Sequence, residues 1–201
     1  MSVFEHWPNR ITASRFAGAL ALFTIFAVYG AAPAETIRVP IHIAFWLFIV
    51  VASTDALDGY LARRDNQVSA FGRIADPFVD KVLIVGSMIY LATMPWSQPF
   101  MPATVVVLTL AREFLVTAIR GYVESVGREF PADGFGKLKM IMQCITVGAV
   151  LCTQIVAWPP AFYDFLAFLA HALVWTTLVA TVGSGVTYTL RTRRILLGDE
   201  S

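Results

Sequence analysis

Residues 55–80 read DALDGYLARRDNQVSAFGRIADPFVD, and this stretch decides how the rest of the chain is interpreted. Four of its five aspartates are at ordered spacing, because Asp55 and Asp58 are three residues apart and Asp76 and Asp80 are four apart. Residues three or four apart lie on one face of a helix. The stretch therefore predicts two helices, each presenting a pair of carboxylates, with a short connection that brings the two pairs together.

The residues around this stretch indicate a membrane protein. Of 201 residues, 57% are hydrophobic and only 14% are charged, whereas a soluble domain carries roughly 25% charged residues. The chain thus has too little polar surface to face water on all sides, and we expect it to lie in a bilayer. A net charge of +1 gives no field that would attract nucleic acid, so we expect no nucleic-acid partner.

A helix needs roughly 20 apolar residues to cross a bilayer, and six apolar runs in this chain have about that length or more. They cover residues 14–32, 39–57, 74–94, 102–120, 138–158 and 161–190. We predict an all-α, polytopic fold in one membrane domain. It consists of a cytoplasmic juxtamembrane segment (residues 1–13), a bundle of six transmembrane helices (14–190) and a basic cytoplasmic tail (191–201). The sixth run is longer than a span needs, so its end is predicted to tilt or to project beyond the membrane.

Basic residues orient these spans. They precede the first span, separate the second from the third and the fourth from the fifth, and follow the sixth; those that fix the orientation are Arg10, Arg15, Arg63, Arg64, Arg73, Arg128, Lys137, Lys139, Arg191, Arg193 and Arg194. The opposite loops hold one base, Arg38. By the positive-inside rule, both termini and the four aspartates are predicted to be cytoplasmic.

The four aspartates predict a metal site. Four carboxylates in one pocket repel each other unless a cation is bound between them. Oxygen ligands suit Mg²⁺, Mn²⁺ or Ca²⁺ rather than zinc. We predict Mg²⁺ or Mn²⁺ held by Asp55, Asp58, Asp76 and Asp80. Two such ions about 4 Å apart would clamp a diphosphate.

The spacing from Asp55 to Asp80 fits the pattern D-x2-D-G-x2-A-R-x8-G-x3-D-x3-D at every fixed position, and residues 8–15 (PNRITASR) fit P-N-x-[IL]-T-x2-R. Both patterns resemble the CDP-alcohol phosphatidyltransferase family. The resemblance implies that a phosphatidyl group moves from CDP-diacylglycerol to an alcohol in the bacterial plasma membrane, that the protein is a homodimer, and that Asp80 is also the general base. It further implies that CDP-diacylglycerol is bound by Asn9, Thr12, Gly59, Ala62, Arg63, Ser69 and Gly72.

Two later segments concern the acceptor. Residues 111–120 (AREFLVTAIR) and 136–143 (GKLKMIMQ) resemble the members of that family that use glycerol 3-phosphate, although Met140 stands where those members usually have threonine. The cations in these segments suit an acceptor that carries phosphate; they are Arg112, Arg120, Lys137 and Lys139. We therefore expect glycerol 3-phosphate as acceptor, with inositol phosphate, or phosphatidylglycerol as in cardiolipin synthases, as alternatives.

Two other classes of protein fit the residues less well. A cation transporter predicts acids near the bilayer centre and repeated or broken helices, whereas these aspartates lie at the ends of spans and no repeat is visible. A membrane scaffold has no use for the fixed aspartate spacing. We therefore favour an enzyme.

Overall fold

The computed structural model describes residues 7–64, 70–128 and 134–196, and every regular element within them is an α-helix. The helices, in chain order, are α1 (Trp7–Tyr29), α2 (Ala34–Arg64), α3 (Ala70–Thr93), α4 (Ala103–Ser125), α5 (Gly134–Cys152) and α6 (Pro160–Leu196). The predicted all-α class and the predicted order of six helices are thereby confirmed. The helix α1 packs on α2 and α3, while α6 packs on α4 and α5.

The interior of the bundle changes character along its length. One half is an apolar core around Leu22, Phe26, Phe48 and Met88, all of them buried. The other half buries polar and charged side chains, including Asn9, Thr12, Arg15, Arg112, Glu113, Lys139, Gln143, Thr181, Ser184 and Thr192. Burying polar groups is unfavourable unless they find partners. We therefore expect a functional site in the polar half of the bundle.

Helix α1 shows how the sequence produces this division. Its buried positions are three or four residues apart, as expected for one face of a helix; they are Asn9, Thr12, Arg15, Ala19, Leu22 and Phe26. The first three are polar and the last three are apolar. A single face of α1 therefore contributes to the polar half at its N-terminal end and to the apolar core further on.

The outer surface of the bundle is apolar. Side chains such as Ile74, Phe168 and Val179 are each more than 70% exposed, and exposed apolar area on this scale marks contact with lipid or with another protein. Among the described residues, three helices contain a stretch that is long and apolar enough to cross a membrane: Asn9–Tyr29, Thr36–Thr54 and Pro160–Arg193. The apolar part of α5, Leu138–Cys152, is shorter.

Most helix ends differ by several residues from the predicted spans, and the C-terminal ends of α5 and α2 are two examples. Helix α5 ends at Cys152 rather than at residue 158, because the indole Nε1 of Trp158 donates to the Cys152 carbonyl at 2.9 Å and closes a turn there. Helix α2 continues beyond residue 57 to Arg64, so Asp55 and Asp58 belong to its last turns. At 37 residues, α6 is about 55 Å long at 1.5 Å per residue, well beyond the roughly 30 Å thickness of the hydrocarbon core.

Candidate active site

The second pair of aspartates is held by the first helix. The hydroxyl of Thr12 donates to Asp76 Oδ1 at 2.5 Å, and the guanidinium of Arg15 forms an ion pair with Asp80 Oδ1. Thr12 and Arg15 are three residues apart on α1, and the two aspartates are four residues apart on α3. Two helix faces thus meet through two charge-assisted contacts, and these contacts fix the orientation of both carboxylates.

A glycine allows this close approach of α1 and α3. A Cβ atom built on Gly86 of α3 would lie 2.3 Å from Cζ of Phe23 on α1. Phe23 therefore occupies the space that any other residue at position 86 would need. The approach of the two helices here keeps Thr12 and Arg15 within reach of the two aspartates nearer the N-terminal end of α3.

The chemistry of this pair fits a hard cation. Asp76 is half-buried, and the Asp80 side chain is 18% exposed. Both offer carboxylate oxygens from one face of α3, and Thr12 donates a hydrogen bond to one of them, as partners of metal ligands often do. Among the described side chains, no group of three acidic, histidine or cysteine residues lies together. The predicted meeting of four aspartates remains a prediction.

Several predicted site residues lie outside what the structure describes. Helix α2 includes positions 55–63. The described part of the structure does not include Ser69, the surroundings of Gly59, or the side chains of Asp55, Asp58, Ala62 and Arg63. The same holds for the side chain of Lys137. Of the predicted nucleotide-binding residues that are described, Asn9, Thr12 and Gly72 are all buried, and Asn9 shares the α1 face of Thr12.

The predicted acceptor site is only partly assembled. Lys139 of α5 forms an ion pair with Glu113 of α4, and Glu113 Oε1 also lies 3.3 Å from Nη1 of Arg112. Arg112 and Lys139 are therefore brought together in the interior through one carboxylate. Arg120 is exposed on α4, two turns beyond Arg112, and does not belong to this buried group.

Helix α6 holds Arg112 from the other side. The Nε atom of Arg112 donates to Ser184 Oγ at 3.1 Å, and its guanidinium carbon lies 5.4 Å from the centroid of the Tyr188 ring, within the range of a cation–π contact. A Cβ atom on Gly185 would lie 3.0 Å from Cγ of Arg112. Arg112 therefore packs closely against the face of α6 that carries Ser184, Gly185 and Tyr188.

A cavity of about 540 Å³ opens between α1, α3 and α4. Its walls are almost entirely apolar, apart from Lys81, Glu113 and Thr117. Lys81 follows Asp80 in the chain, and its ammonium donates to Thr117 Oγ1 at 2.6 Å. The cavity thus adjoins the buried cations at Glu113 and is otherwise suited to hydrocarbon.

Sequence reasoning missed two residues of this site. From the sequence, Arg15 is an orienting charge and the last residue of the motif at residues 8–15, although its position three residues after Thr12 also places it on the same helix face. The sequence leaves open that Arg112 pairs with a carboxylate, but it does not single out Glu113 as that partner. The available signal was an acid inside an apolar run beside Arg112, since a buried arginine needs a partner.

The fold and the site together define a class of protein. An all-helical bundle with an apolar exterior and a polar half that holds paired aspartates and buried cations is typical of a polytopic membrane protein with a polar internal site.

Comparison with known proteins gives the family. The sequence profile of the CDP-alcohol phosphatidyltransferase family matches residues 5–183. A Bacillus subtilis protein named CDP-diacylglycerol–glycerol-3-phosphate 3-phosphatidyltransferase is 32% identical over 191 residues, covering 90% of this chain and 92% of its own. Proteins of the same name are 27% identical in Rickettsia bellii, covering 94% and 96%, and 30% identical in Shigella flexneri, covering 75% and 79%. The chain belongs to the CDP-alcohol phosphatidyltransferase family and is an integral membrane protein.

Proposed function

We propose that this protein is an enzyme that transfers a phosphatidyl group from CDP-diacylglycerol to glycerol 3-phosphate, releasing phosphatidylglycerophosphate and CMP for phospholipid biosynthesis. The names of the relatives support this reaction. The observation that carries the choice of acceptor is the burial of Arg112 and Lys139 together in the polar half of the bundle. Two buried cations suit an acceptor that brings its own phosphate, whereas a neutral alcohol does not need them.

The proposed reaction is a displacement at phosphorus. The primary hydroxyl oxygen of glycerol 3-phosphate forms a bond to the β-phosphorus of CDP-diacylglycerol, the bond from that phosphorus to the oxygen of CMP breaks, and CMP leaves with the electron pair. Asp80 takes the proton of the attacking hydroxyl. A carboxylate within hydrogen-bond reach of an alcohol is a suitable general base, and the contact with Arg15 orients it.

The proposal includes a divalent metal. Asp55, Asp58, Asp76 and Asp80 would hold it, with Mg²⁺ or Mn²⁺ as the ion and two ions as the number. When bound, the metal neutralises charge on the diphosphate and on the leaving CMP. Thr12 orients Asp76 as a ligand, and Asn9, Gly59, Ala62, Arg63, Ser69 and Gly72 are proposed to line the nucleotide site with it.

The proposed acceptor site comprises Arg112 and Lys139 of the buried group, with Lys137 and Arg120 nearer the ends of their helices. We place the site and both termini on the cytoplasmic side of a bacterial plasma membrane, where glycerol 3-phosphate is available. The protein is proposed to act as a homodimer.

The decisive experiment measures CMP release by the purified, detergent-solubilised protein. CDP-diacylglycerol and Mg²⁺ are incubated with glycerol 3-phosphate, inositol phosphate or phosphatidylglycerol, with EDTA in a parallel set. Of the three acceptors, we expect only glycerol 3-phosphate to give CMP release, and we expect no release in EDTA. Release with inositol phosphate or phosphatidylglycerol instead would assign the same chemistry to another acceptor, and no release with any acceptor would refute the proposed reaction.

A further inference from the structure

Three charged side chains, two on α4 and one on α5, are buried in the bundle. Arg112 is 8% exposed, Glu113 is 7% exposed and Lys139 is 6% exposed. Withdrawing charges from water is costly, and ion pairs in such positions do not by themselves make a fold more stable than apolar residues would. Two cations and one anion also leave one positive charge without compensation inside the group. A purely structural pair would have needed only one cation.

One carboxylate oxygen sets the distance between the two cations. Glu113 Oε1 contacts both Lys139 and Arg112, which come from different helices. Arg112 is additionally fixed by Ser184 on α6. The guanidinium is therefore held at both Nε and Nη1.

Buried nitrogen atoms that lack hydrogen-bond partners in the described part of the chain indicate that a ligand binds beside these charges. The buried Nη2 of Arg112 and the buried Nε2 of Gln143 have no hydrogen-bond partner among the described residues. Gln143 is 2% exposed and follows Lys139 by four residues, so the two share a face of α5. Buried donors without partners are rare in folded proteins and call for a ligand or water. An excess positive charge beside such donors suits an oxyanion.

We infer that Glu113 is the positioning residue of the acceptor site: it holds Arg112 and Lys139 at a fixed separation, so that the remaining donors and the surplus charge receive the phosphate of the acceptor. The inference rests on the proposed function and names the residue that preorganises its phosphate pocket. Without the carboxylate, the two cations repel each other and must be reassembled when the phosphate binds, which weakens binding.

The experiment compares Glu113→Gln with wild type and with Glu124→Gln, a matched change at an exposed glutamate of the same helix. For Glu113→Gln we expect the KM for glycerol 3-phosphate to rise about 10-fold or more, as for the loss of one charge-assisted contact, while the KM for CDP-diacylglycerol stays within about twofold. Calorimetric titration with glycerol 3-phosphate alone, without donor, is expected to show the same loss. Glu124→Gln is expected to behave as wild type.

Two further variants separate positioning from folding. Glu113→Asp keeps the charge but is one methylene shorter, so we expect it to recover part of the acceptor affinity. Gly185→Ala changes no charge but crowds Cγ of Arg112, and we expect a smaller rise in the same KM. If Glu113→Gln does not fold in thermal unfolding measurements, Glu113→Asp takes its place, and we expect from it a smaller rise in the KM for glycerol 3-phosphate with the KM for CDP-diacylglycerol unchanged.

The outcomes distinguish the two claims. If wild-type protein releases no CMP with glycerol 3-phosphate, the proposed function fails. If wild type is active but Glu113→Gln, or Glu113→Asp in its place, raises both KM values alike, lowers kcat alone, or leaves the acceptor KM unchanged, only the positioning role of Glu113 is overturned.

Discussion

Replacing Thr12 with valine removes one hydroxyl group and almost no volume, so it tests the contact between α1 and Asp76 with little disturbance of packing. Thr12 is 3% exposed, and its hydroxyl donates to the Asp76 carboxylate at 2.5 Å. Water has little access to replace this donor. A hydrogen bond to a charged group contributes about 1.5–3 kcal/mol, which corresponds to a factor of about 10 to 150 in an equilibrium constant.

The loss is expected to fall on metal affinity, because partners of metal ligands typically change it by about 10- to 100-fold. We expect Thr12→Val to raise the Mg²⁺ concentration for half-maximal CMP release by at least about 10-fold, with activity recovered at high Mg²⁺. Thr12→Ser keeps the hydroxyl and serves as the control, with a curve close to wild type. If Thr12→Val leaves the Mg²⁺ curve unchanged and raises only the KM for CDP-diacylglycerol, Thr12 contacts the nucleotide instead of orienting Asp76.

Three further predictions concern the base, the packing and the orientation. Asp80→Asn is expected to abolish CMP release while CDP-diacylglycerol still binds in calorimetry, and equal loss of both would make Asp80 chiefly a ligand. Gly86→Ala forces a methyl group to 2.3 Å from Phe23 and is expected to cost about 1–3 kcal/mol, visible as a lower Tm in detergent. Gly121→Ala meets nothing within 4 Å and is its control; equal Tm values would contradict the packing argument. Alkaline phosphatase fused to the C-terminus is expected to be inactive and green fluorescent protein fluorescent, and the opposite pattern would reverse the proposed orientation.

The sequence by itself determined the class of fold and the family. Apolar runs and turn residues predicted six helices in the right order, because the length of a span and the scarcity of charge are local properties. The spacing of Asp76 and Asp80 placed both on one face of α3 for the same reason, and the fixed pattern from Asp55 to Asp80 pointed to the family. Helix ends were less predictable, as at Cys152, where the stop depends on an indole six residues later.

Only the tertiary structure decided which side chains meet. That Thr12 and Arg15 hold Asp76 and Asp80 depends on the parallel approach of α1 and α3, which more than 60 intervening residues separate in the chain. The sequence did not show which of the four predicted acceptor cations lie together. In the fold, Glu113 joins Arg112 to Lys139 inside the bundle, while Arg120 lies outside it. Local spacing fixes the face of a helix, but the partner across that face is set by how the helices pack.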